Sequence, residues 1–257
     1  KPEEFEYLYQ LEANFWWFVA MREITDAVSS PAYQSNHSLR ILDAGCGTGY
    51  NLGHFESLGP HAVYGFDISQ GAIDGVRKRG FTKVCQASIT QIPLAAKTFD
   101  LAFSFEVISQ GLNPSVEDSL SELLRVLKPG GFLFVRAPAY QWMHSSHDTG
   151  VDTVRRFTRA GLKKQLETAG FQVEWISYAN CFLFPVVVFR RLIKSLGIGA
   201  GSDVRPLPQG LGWVDPIFRS VLITEAAMFR RRVPLPFGLS IVCLDRKSTR
   251  LNSSHVS

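Results

Sequence analysis

The sequence predicts an α/β fold in which helices cover both faces of a doubly wound, mostly parallel sheet. Apolar runs typical of buried strands alternate with amphipathic, helix-like segments between residues 39 and 179. The first run leads directly into a glycine-rich turn, Gly45-Cys46-Gly47-Thr48-Gly49, and open parallel sheets bind ligands beyond the carboxyl ends of their strands. Seven strands are predicted, at residues 39–44, 62–66, 83–86, 99–105, 132–137, 171–179 and 239–244.

The helices predicted between these strands have recognisable ends. Ser69 is placed to cap a helix over residues 71–79, although Asp67 is an alternative cap. Residues 127–131, Leu-Lys-Pro-Gly-Gly, are expected to end a helix over residues 115–127 sharply before the fifth strand. The remaining helices are predicted at residues 49–58 and 158–169, with one helix or a broken helix over residues 3–28.

Composition and charge limit the classes of function. At 257 residues with 46% hydrophobic residues, the chain is long enough for one α/β domain with an elaboration. Residues 182–235 carry eight Lys or Arg against three Asp or Glu, so the basicity is local and nucleic-acid binding by the whole fold is not indicated. Cys46, Cys85, Cys181 and Cys243 lack paired spacing, which predicts free thiols in a reducing, cytoplasmic location and neither disulfides nor a metal site.

Five segments are expected along the chain. An N-terminal helical lid (residues 1–30) precedes a ligand-binding core (residues 38–181). A helical insertion (residues 182–235) then separates the core from its final strand (residues 236–247). Residues 248–257 are polar, lack periodicity and resemble translated linker sequence, so we exclude them from the fold.

The N-terminal segment carries three consecutive aromatic residues, Trp16, Trp17 and Phe18. Three rings exceed what one buried stripe of a helix needs, so at least one is expected to face something other than the helix's own core contact. The segment is therefore predicted to cover a ligand, with Arg22 one turn further on able to bind a carboxylate in two-pronged fashion. The alternative is that all three rings pack the helix onto the core.

The glycine-rich turn excludes two common nucleotide sites. A dinucleotide fingerprint needs Gly or Ala where this chain has Tyr50, and a P-loop needs a lysine that the turn lacks. Asp43, just before the glycines, would repel phosphate but suits a cationic ligand. Asp67 follows the second strand, 22 residues after Gly45, where a carboxylate can accept both hydroxyls of a ribose. The ligand implied is a nucleoside with a positive charge; the alternative is an ordinary strand-to-helix turn.

Residues 43–49 resemble the first motif of the class I S-adenosylmethionine-dependent methyltransferases of the bacterial small-molecule type. The Leu-Lys-Pro-Gly-Gly stretch is similar to a second marker of that family, and the resemblance extends over roughly residues 5 to 247. It implies the Rossmann-like methyltransferase fold, S-adenosylmethionine as cofactor, and direct in-line transfer of a methyl group to a small-molecule or lipid-linked acceptor.

The resemblance also implies roles for individual residues. Asp43 and the Gly45 backbone would hold the methionine amino group, Arg22 its carboxylate, and Ser88 with Ile89 the adenine. The expected cofactor-binding residues are Trp17, Arg22, Asp43, Gly45, Cys46, Gly47, Gly49, Asp67, Ile68, Ser88, Ile89 and Phe105. The chain departs from its relatives after the fourth strand, where Ser109 and Gln110 replace a common glutamate-histidine pair, which puts an acid-base role for that loop in doubt.

The loop after the fifth strand is the predicted substrate wall, because it is the most polar and aromatic loop at the functional edge. Its candidates for substrate contact are Tyr140 and His144, together with Tyr178 from the sixth strand, and His147 is the candidate base. The alternative, which we favour, is that His147-Asp148 and Arg155-Arg156 form a salt-bridged brace. Similar relatives often have a second histidine where this chain has Thr153.

The insertion holds two apolar-basic stretches, residues 182–196 and 214–232, separated by a Gly/Pro-rich loop. One interpretation is a surface that docks peripherally on an anionic membrane and reaches a lipid-linked substrate. The favoured alternative is a pair of helices that cover the active site or make a homodimer contact. The apolar run over residues 182–189 is far shorter than the roughly 20 residues of a membrane span, and no signal peptide opens the chain.

Two other functions remain open at this point. One is a non-catalytic protein that binds S-adenosylmethionine or a nucleoside, and the other is a nucleotide-cofactor oxidoreductase. Tyr50 and the lack of a second nucleotide-binding half disfavour the oxidoreductase. The sequence does not identify the acceptor or its reacting atom.

Overall fold

The computed structural model describes residues 2–33, 38–111, 115–145, 148–149, 152–195 and 214–249. Within these residues, seven strands form one sheet in the order β3-β2-β1-β4-β5-β7-β6. The strands are β1 (Arg40–Ala44), β2 (Ala62–Asp67), β3 (Val84–Gln86), β4 (Phe99–Phe105), β5 (Leu127–Pro138), β6 (Phe171–Ala179) and β7 (Ser240–Lys247). Only β7 is antiparallel to its neighbours β5 and β6, so the predicted mostly parallel sheet is confirmed.

Helices cover both faces of the sheet, as expected for a doubly wound fold. The helices are α1 (Pro2–Asn14), α2 (Trp16–Ser29), α3 (Tyr50–Ser57), α4 (Gln70–Lys78), α5 (Val116–Val126), α6 (Arg159–Thr168), α7 (Phe184–Ser195) and α8 (Val214–Arg230). One apolar core joins the sheet to α2, α3 and α8 through Ile24, Phe55 and Phe229. A second core joins the opposite face to α5 and α6 through Leu123 and Leu162.

The chain order of the strands reverses beside β1, which lies between β2 and β4. At such a switch point the connections leave β1 and β4 toward opposite faces, and a crevice opens beyond their carboxyl ends. This crevice is where the glycine-rich turn follows Ala44 and where Phe105 ends β4. The topology therefore places the turn at the position where a ligand is expected.

The fifth strand begins earlier than predicted. Leu127 pairs with Phe99, and the ladder resumes only at Phe132, which pairs with Leu101. Residues 128–131 are thus an irregularity inside β5 and not a turn that precedes it, because Leu127 at the helix end already has extended backbone angles. The sharp end predicted for the preceding helix is confirmed at Val126.

The last strand is longer than the predicted range, residues 239–244. β7 continues through Asp245 to Lys247, although these residues are charged. Asp245 is fully buried, and the Lys247 amine donates hydrogen bonds to the carbonyl oxygens of Leu124 and Leu127 at 2.6 and 2.8 Å. The sequence prediction ended the strand too early because charged residues usually mark exposed chain, whereas these side chains are hydrogen-bonded or buried within the fold.

The N-terminal helices and the insertion pack together. The predicted break in the N-terminal helix occurs at Phe15, and α8 then lies along α2. The Trp16 ring lies 5.2 Å from that of Phe218, and Arg230 pairs with Glu23 at 2.9 Å. The Gly/Pro-rich loop predicted within the insertion lies outside the described residues. In the part of the chain that the structure describes, no helix is long and apolar enough to cross a membrane.

A buried carboxylate joins α8 to the end of β6. Glu225 accepts hydrogen bonds from the backbone N–H groups of Asn180 at 2.7 Å and Phe182 at 2.9 Å, and it is fully buried. Burial raises the pKa of Glu225 to about 7 against the effect of these hydrogen bonds. The insertion is thereby fixed to the core at the point where the chain leaves the sheet.

Replacing Glu225 tests this connection. Glu225→Ala removes the acceptor of the buried Asn180 N–H, at a cost of about 1–3 kcal/mol, and that of the partly buried Phe182 N–H. We expect the melting temperature to fall by roughly 5 °C or more. Glu225→Gln should lose less, because it keeps one acceptor oxygen, and Glu56→Ala on the exposed face of α3 should change it by less than about 2 °C. Equal melting temperatures for Glu225→Ala and Glu56→Ala would contradict the proposed connection.

Candidate cofactor site

Four of the five backbone N–H groups of the glycine-rich turn, those of the three glycines and Cys46, donate to groups of the chain itself. Two donate to the end of β2, one to a side chain and one within the turn. The bonds run from Gly45 and Cys46 to Phe66 O (2.8 and 2.9 Å), from Gly47 to Asp67 Oδ2 (2.9 Å) and from Gly49 to Cys46 O (2.8 Å). A phosphate needs such donors, so this turn is not organised to hold one.

Different features of the structure explain why glycine occupies positions 45 and 47. Gly45 has a φ of +83°, and a Cβ atom there would lie 2.4 Å from Cγ2 of Val107. Packing inside the protein therefore explains Gly45. Gly47 has a φ of +50° but no atom within 4 Å of the Cβ position, so a side chain there would extend into open space. Position 47 is where the bare backbone leaves room for a ligand.

Asp43 is a buried carboxylic acid without a partner. It is 0% exposed at the end of β1, and neither of its side-chain oxygens has a hydrogen bond within the described residues. Burial, together with the charges of Asp67 and Glu12, raises the pKa of Asp43 to about 8 against the opposing charge of Arg136. An unpaired buried carboxylate is costly, and a cationic donor such as an ammonium group would satisfy it. The residue fits the positively charged nucleoside that the sequence implies.

Asp67 is partly exposed at the same edge of the sheet. Its Oδ1 accepts a hydrogen bond from the Ser69 N–H at 2.8 Å, and its Oδ2 accepts the bond from Gly47. Each carboxylate oxygen can accept a further bond, so capacity remains for ligand hydroxyls. Ser69 caps α4 by accepting from the Ala72 N–H, which confirms the predicted cap over the alternative at Asp67.

A cavity of about 160 Å³ adjoins the turn and contains part of the predicted site. Its walls come from the two N-terminal helices, the turn, α3 and the ends of β4 and β5. The predicted residues that line it are Arg22, Gly45, Cys46, Gly47 and Phe105. The charged or titratable residues that line it but were not predicted are Glu12, His54 and Arg136.

The first helix is fastened to the turn by charged side chains. Glu12 accepts a hydrogen bond from the Thr48 hydroxyl, and burial raises the pKa of Glu12. Arg79 pairs with Glu6 at 2.7 Å, lies over the Tyr9 ring at 3.9 Å and donates to the Thr48 carbonyl at 3.2 Å. The N-terminal segment thus contacts the turn directly, as a lid would.

The three consecutive aromatic residues have three different surroundings. Trp16 packs on α8, Phe18 lines the cavity, and Trp17 lies 5.3 Å from the guanidinium carbon of Arg136. The expectation that one ring faces something other than the helix's core contact is met. Arg22 also lines the cavity, where its Nη1 donates to the Glu12 carbonyl at 2.7 Å.

The residues predicted around adenine do not line this cavity. The Ser88 hydroxyl lies 2.9 Å from that of Thr90, so it is hydrogen-bonded within its own loop. Ile89 is 2% exposed and belongs to the core, whereas Ile68 is 40% exposed. The adenine assignment remains a prediction.

The predicted substrate wall is likewise separate from the cavity, because Tyr140, His144 and Tyr178 do not line it. The rings of Tyr140 and Tyr178 stack at 5.1 Å, and the Tyr178 hydroxyl accepts a hydrogen bond from the Arg159 N–H at 3.1 Å. His144 Nε2 lies 3.1 Å from the Thr153 carbonyl oxygen. His147 lies outside the described residues.

One ion pair of the predicted salt-bridged brace, Asp148 with Arg156, is present in this loop. Arg156 holds Asp148 through Nη2 at 2.6 Å and Nε at 3.1 Å, and Asp148 is 2% exposed. Burial would raise the pKa of Asp148, but the bonds from Arg156 and Ser145 outweigh it and hold the pKa below its usual value. The brace interpretation is confirmed for Asp148 and Arg156, which fix the loop.

Comparisons with known proteins agree on the fold and the family. Residues 42–135 match the family model described as a methyltransferase domain. The chain is similar to a solved S-adenosylmethionine-dependent methyltransferase from Archaeoglobus fulgidus, with a TM-score of 0.58, 17% identity, and 94% of this chain and 99% of that one covered. At that identity the likeness shows the fold.

Two curated relatives are similar in sequence over part of their length. One, named a probable S-adenosylmethionine-dependent methyltransferase, comes from Mycolicibacterium smegmatis and is 31% identical, with 52% of each chain covered. The other is the malonyl-[acyl-carrier protein] O-methyltransferase of Serratia marcescens, 30% identical, with 63% of this chain and 64% of that protein covered. The matches thus span less than two thirds of either relative.

The matched region, residues 42–135, contains β1, the glycine-rich turn, Asp67 and the end of β4, which are the parts that form the crevice. Residues 42–135 thus form a methyltransferase domain, and the chain's similarity to S-adenosylmethionine-dependent methyltransferases indicates S-adenosylmethionine as its cofactor.

Proposed function

We propose that this protein transfers a methyl group from S-adenosylmethionine to a small-molecule or lipid-linked acceptor by in-line displacement. The observation that carries the proposal is Asp43, a fully buried carboxyl group without a partner among the described residues, beneath a turn in which four of five N–H groups already donate within the chain. That combination favours a ligand with an ammonium group over one with phosphates. Similarity to S-adenosylmethionine-dependent methyltransferases supports the same conclusion.

The proposed cofactor contacts follow the positions of the residues. Asp43 and the Gly45 carbonyl would accept from the methionine ammonium, and Arg22 would bind the carboxylate from the cavity wall. Asp67 would accept hydrogen bonds from the ribose hydroxyls, because each of its carboxylate oxygens accepts only one backbone N–H and can accept a further bond. Ser88 and Ile89 remain the proposed adenine contacts.

Methyl transfer from a sulfonium requires the protein mainly to position the two reactants. The bound cofactor supplies an electrophilic methyl group on a sulfonium whose departing thioether is neutral. The chain's own residues then need to orient the acceptor, exclude water and, for a hydroxyl acceptor, remove a proton. Phe18, Met21 and Phe105 give the cavity an apolar wall that suits water exclusion. His147 stays the proposed base for a hydroxyl acceptor.

Asp43 gives the sharpest test, because its ionisation should be coupled to ligand binding. With a pKa of about 8, most Asp43 is protonated at pH 7 in the free protein, and a bound ammonium favours the carboxylate. Binding of S-adenosylhomocysteine should therefore release up to one proton at pH 7. Calorimetry in buffers of different ionisation enthalpy measures this release.

Asp43→Asn should abolish the proton release and weaken binding by tenfold or more, about 1.4 kcal/mol. Asp74→Asn, an exposed change on α4, is the matched control and should behave like the wild type. Because burial raises the folded-state pKa of Asp43, its contribution to stability is lost as pH rises from about 4 to 8, and Asp43→Asn should flatten that decline. Unchanged affinity and unchanged proton release in Asp43→Asn would refute the ammonium site.

We also propose a peripheral membrane contact for the insertion. Val186 and Phe189 on α7 are 50% and 65% exposed, and Trp142 in the neighbouring loop is 65% exposed. Exposed apolar and aromatic side chains of this kind favour the membrane interface. Flotation with vesicles that contain anionic lipid at low salt should carry the protein, and Phe189→Glu should reduce the floating fraction several-fold. Absence of wild-type flotation would refute the contact and leave the methyl-transfer proposal intact.

A further inference from the structure

Arg136 is a cation held in the cavity wall by two aromatic rings. It lies near the end of β5, opposite Phe105 of β4, and its side chain is 12% exposed. Its guanidinium carbon lies 5.0 Å from the ring centre of Phe105 and 5.3 Å from that of Trp17. The guanidinium therefore connects the sheet to the N-terminal helices, and stacking limits its movement.

One edge of this guanidinium is also fixed by an ion pair. Arg136 Nε lies 3.1 Å from Glu106 Oε1, and the Glu106 N–H donates to the Arg136 carbonyl at 2.8 Å. Glu106 has a φ of +65°, a conformation that is uncommon for a residue with a side chain and that often marks functional sites. Among the described residues, Nε is the only guanidinium nitrogen of Arg136 with a hydrogen bond, so the two terminal nitrogens have none.

The cavity around those nitrogens has an apolar side, although charged and polar side chains, among them Glu12 and Arg22, also line it. Phe18, Met21 and Phe55 line it together with Arg136. A charge interaction gains strength where apolar side chains exclude water, and the two terminal nitrogens of an arginine match the two oxygens of a carboxylate. The site suits a carboxylate carried on an apolar body.

We propose that Arg136 binds a carboxylate of the acceptor molecule, an inference that rests on the methyl-transfer function proposed above. Arg22 in the same cavity is assigned to the carboxylate of the cofactor, so the two arginines would serve two different anions. Arg136 would select acidic acceptors and orient them at the end of β4. A purely structural role, in which Arg136 only joins Trp17 to Glu106, is the alternative.

The first experiment titrates malonate, as a carboxylate probe, into protein saturated with S-adenosylhomocysteine and follows the heat of binding. Malonate should bind the wild type, and Arg136→Met should weaken that binding at least tenfold while S-adenosylhomocysteine affinity stays within about threefold. Arg136→Lys should retain part of the malonate binding, because lysine keeps the positive charge but lacks the paired N–H donors of the guanidinium. Arg246→Met is the matched control, since Arg246 stacks on Phe132 outside the cavity, and should bind like the wild type.

The second experiment establishes which carboxylate Arg136 binds. Decarboxylated S-adenosylmethionine lacks the cofactor carboxylate, so wild type and Arg136→Met should both bind it more weakly than S-adenosylmethionine by the same factor. Arg22→Met should bind the two compounds almost equally. Loss of the discrimination in Arg136→Met would overturn the proposal, because the bound anion would then be the cofactor's.

The outcomes separate the two proposals. If S-adenosylhomocysteine binds but malonate does not, the acceptor-carboxylate site is refuted and the methyl-transfer function stands. If malonate binds equally to wild type and to folded Arg136→Met, Arg136 has only the structural role. If S-adenosylhomocysteine does not bind the wild type, the methyl-transfer function fails and the acceptor site fails with it.

Discussion

The buried carboxyl group of Asp43 is the constraint on which the rest of the site depends. Asp43 is 0% exposed and has no hydrogen-bond partner among the described residues. Burying such a group is costly unless the surrounding structure or a ligand compensates for the cost. The turn above Asp43 directs four of its five N–H groups to β2, to Asp67 or within the turn, so it offers a ligand no cluster of donors. The buried acid and the scarcity of free donors together favour a cationic ligand in the proposed site.

The N-terminal helices complete the site from the opposite side. Glu12 contacts Thr48 of the turn, Trp17 lies against Arg136, and α2 itself is supported by α8 of the insertion. Because Glu225 joins α8 to the end of β6, the lid side of the cavity is connected back to the sheet. The insertion therefore supports the cavity through the helix that lines it, whatever else its exposed residues contact.

The sequence was most informative where a single local rule decides the structure. Strand and helix alternation fixed the sheet, and carboxylates at strand ends located Asp43 and Asp67. Glu12 was missed because its partner Thr48 is distant in sequence, and no spacing links a first-helix glutamate to the turn. Arg136 could have been found, since it is a charged residue at the carboxyl end of a parallel strand. Tyr140 and Tyr178 lie at the carboxyl ends of β5 and β6 but do not line the cavity, and their role in substrate binding stays a prediction.

A crystal structure of the protein with S-adenosylhomocysteine is the most direct measurement of what the buried carboxyl group does. We expect the ligand's amino nitrogen within about 2.7–3.2 Å of an Asp43 oxygen, with ribose hydroxyls on Asp67. The result that would contradict this is a bound ligand whose amino group lies elsewhere, with Asp43 still unpaired.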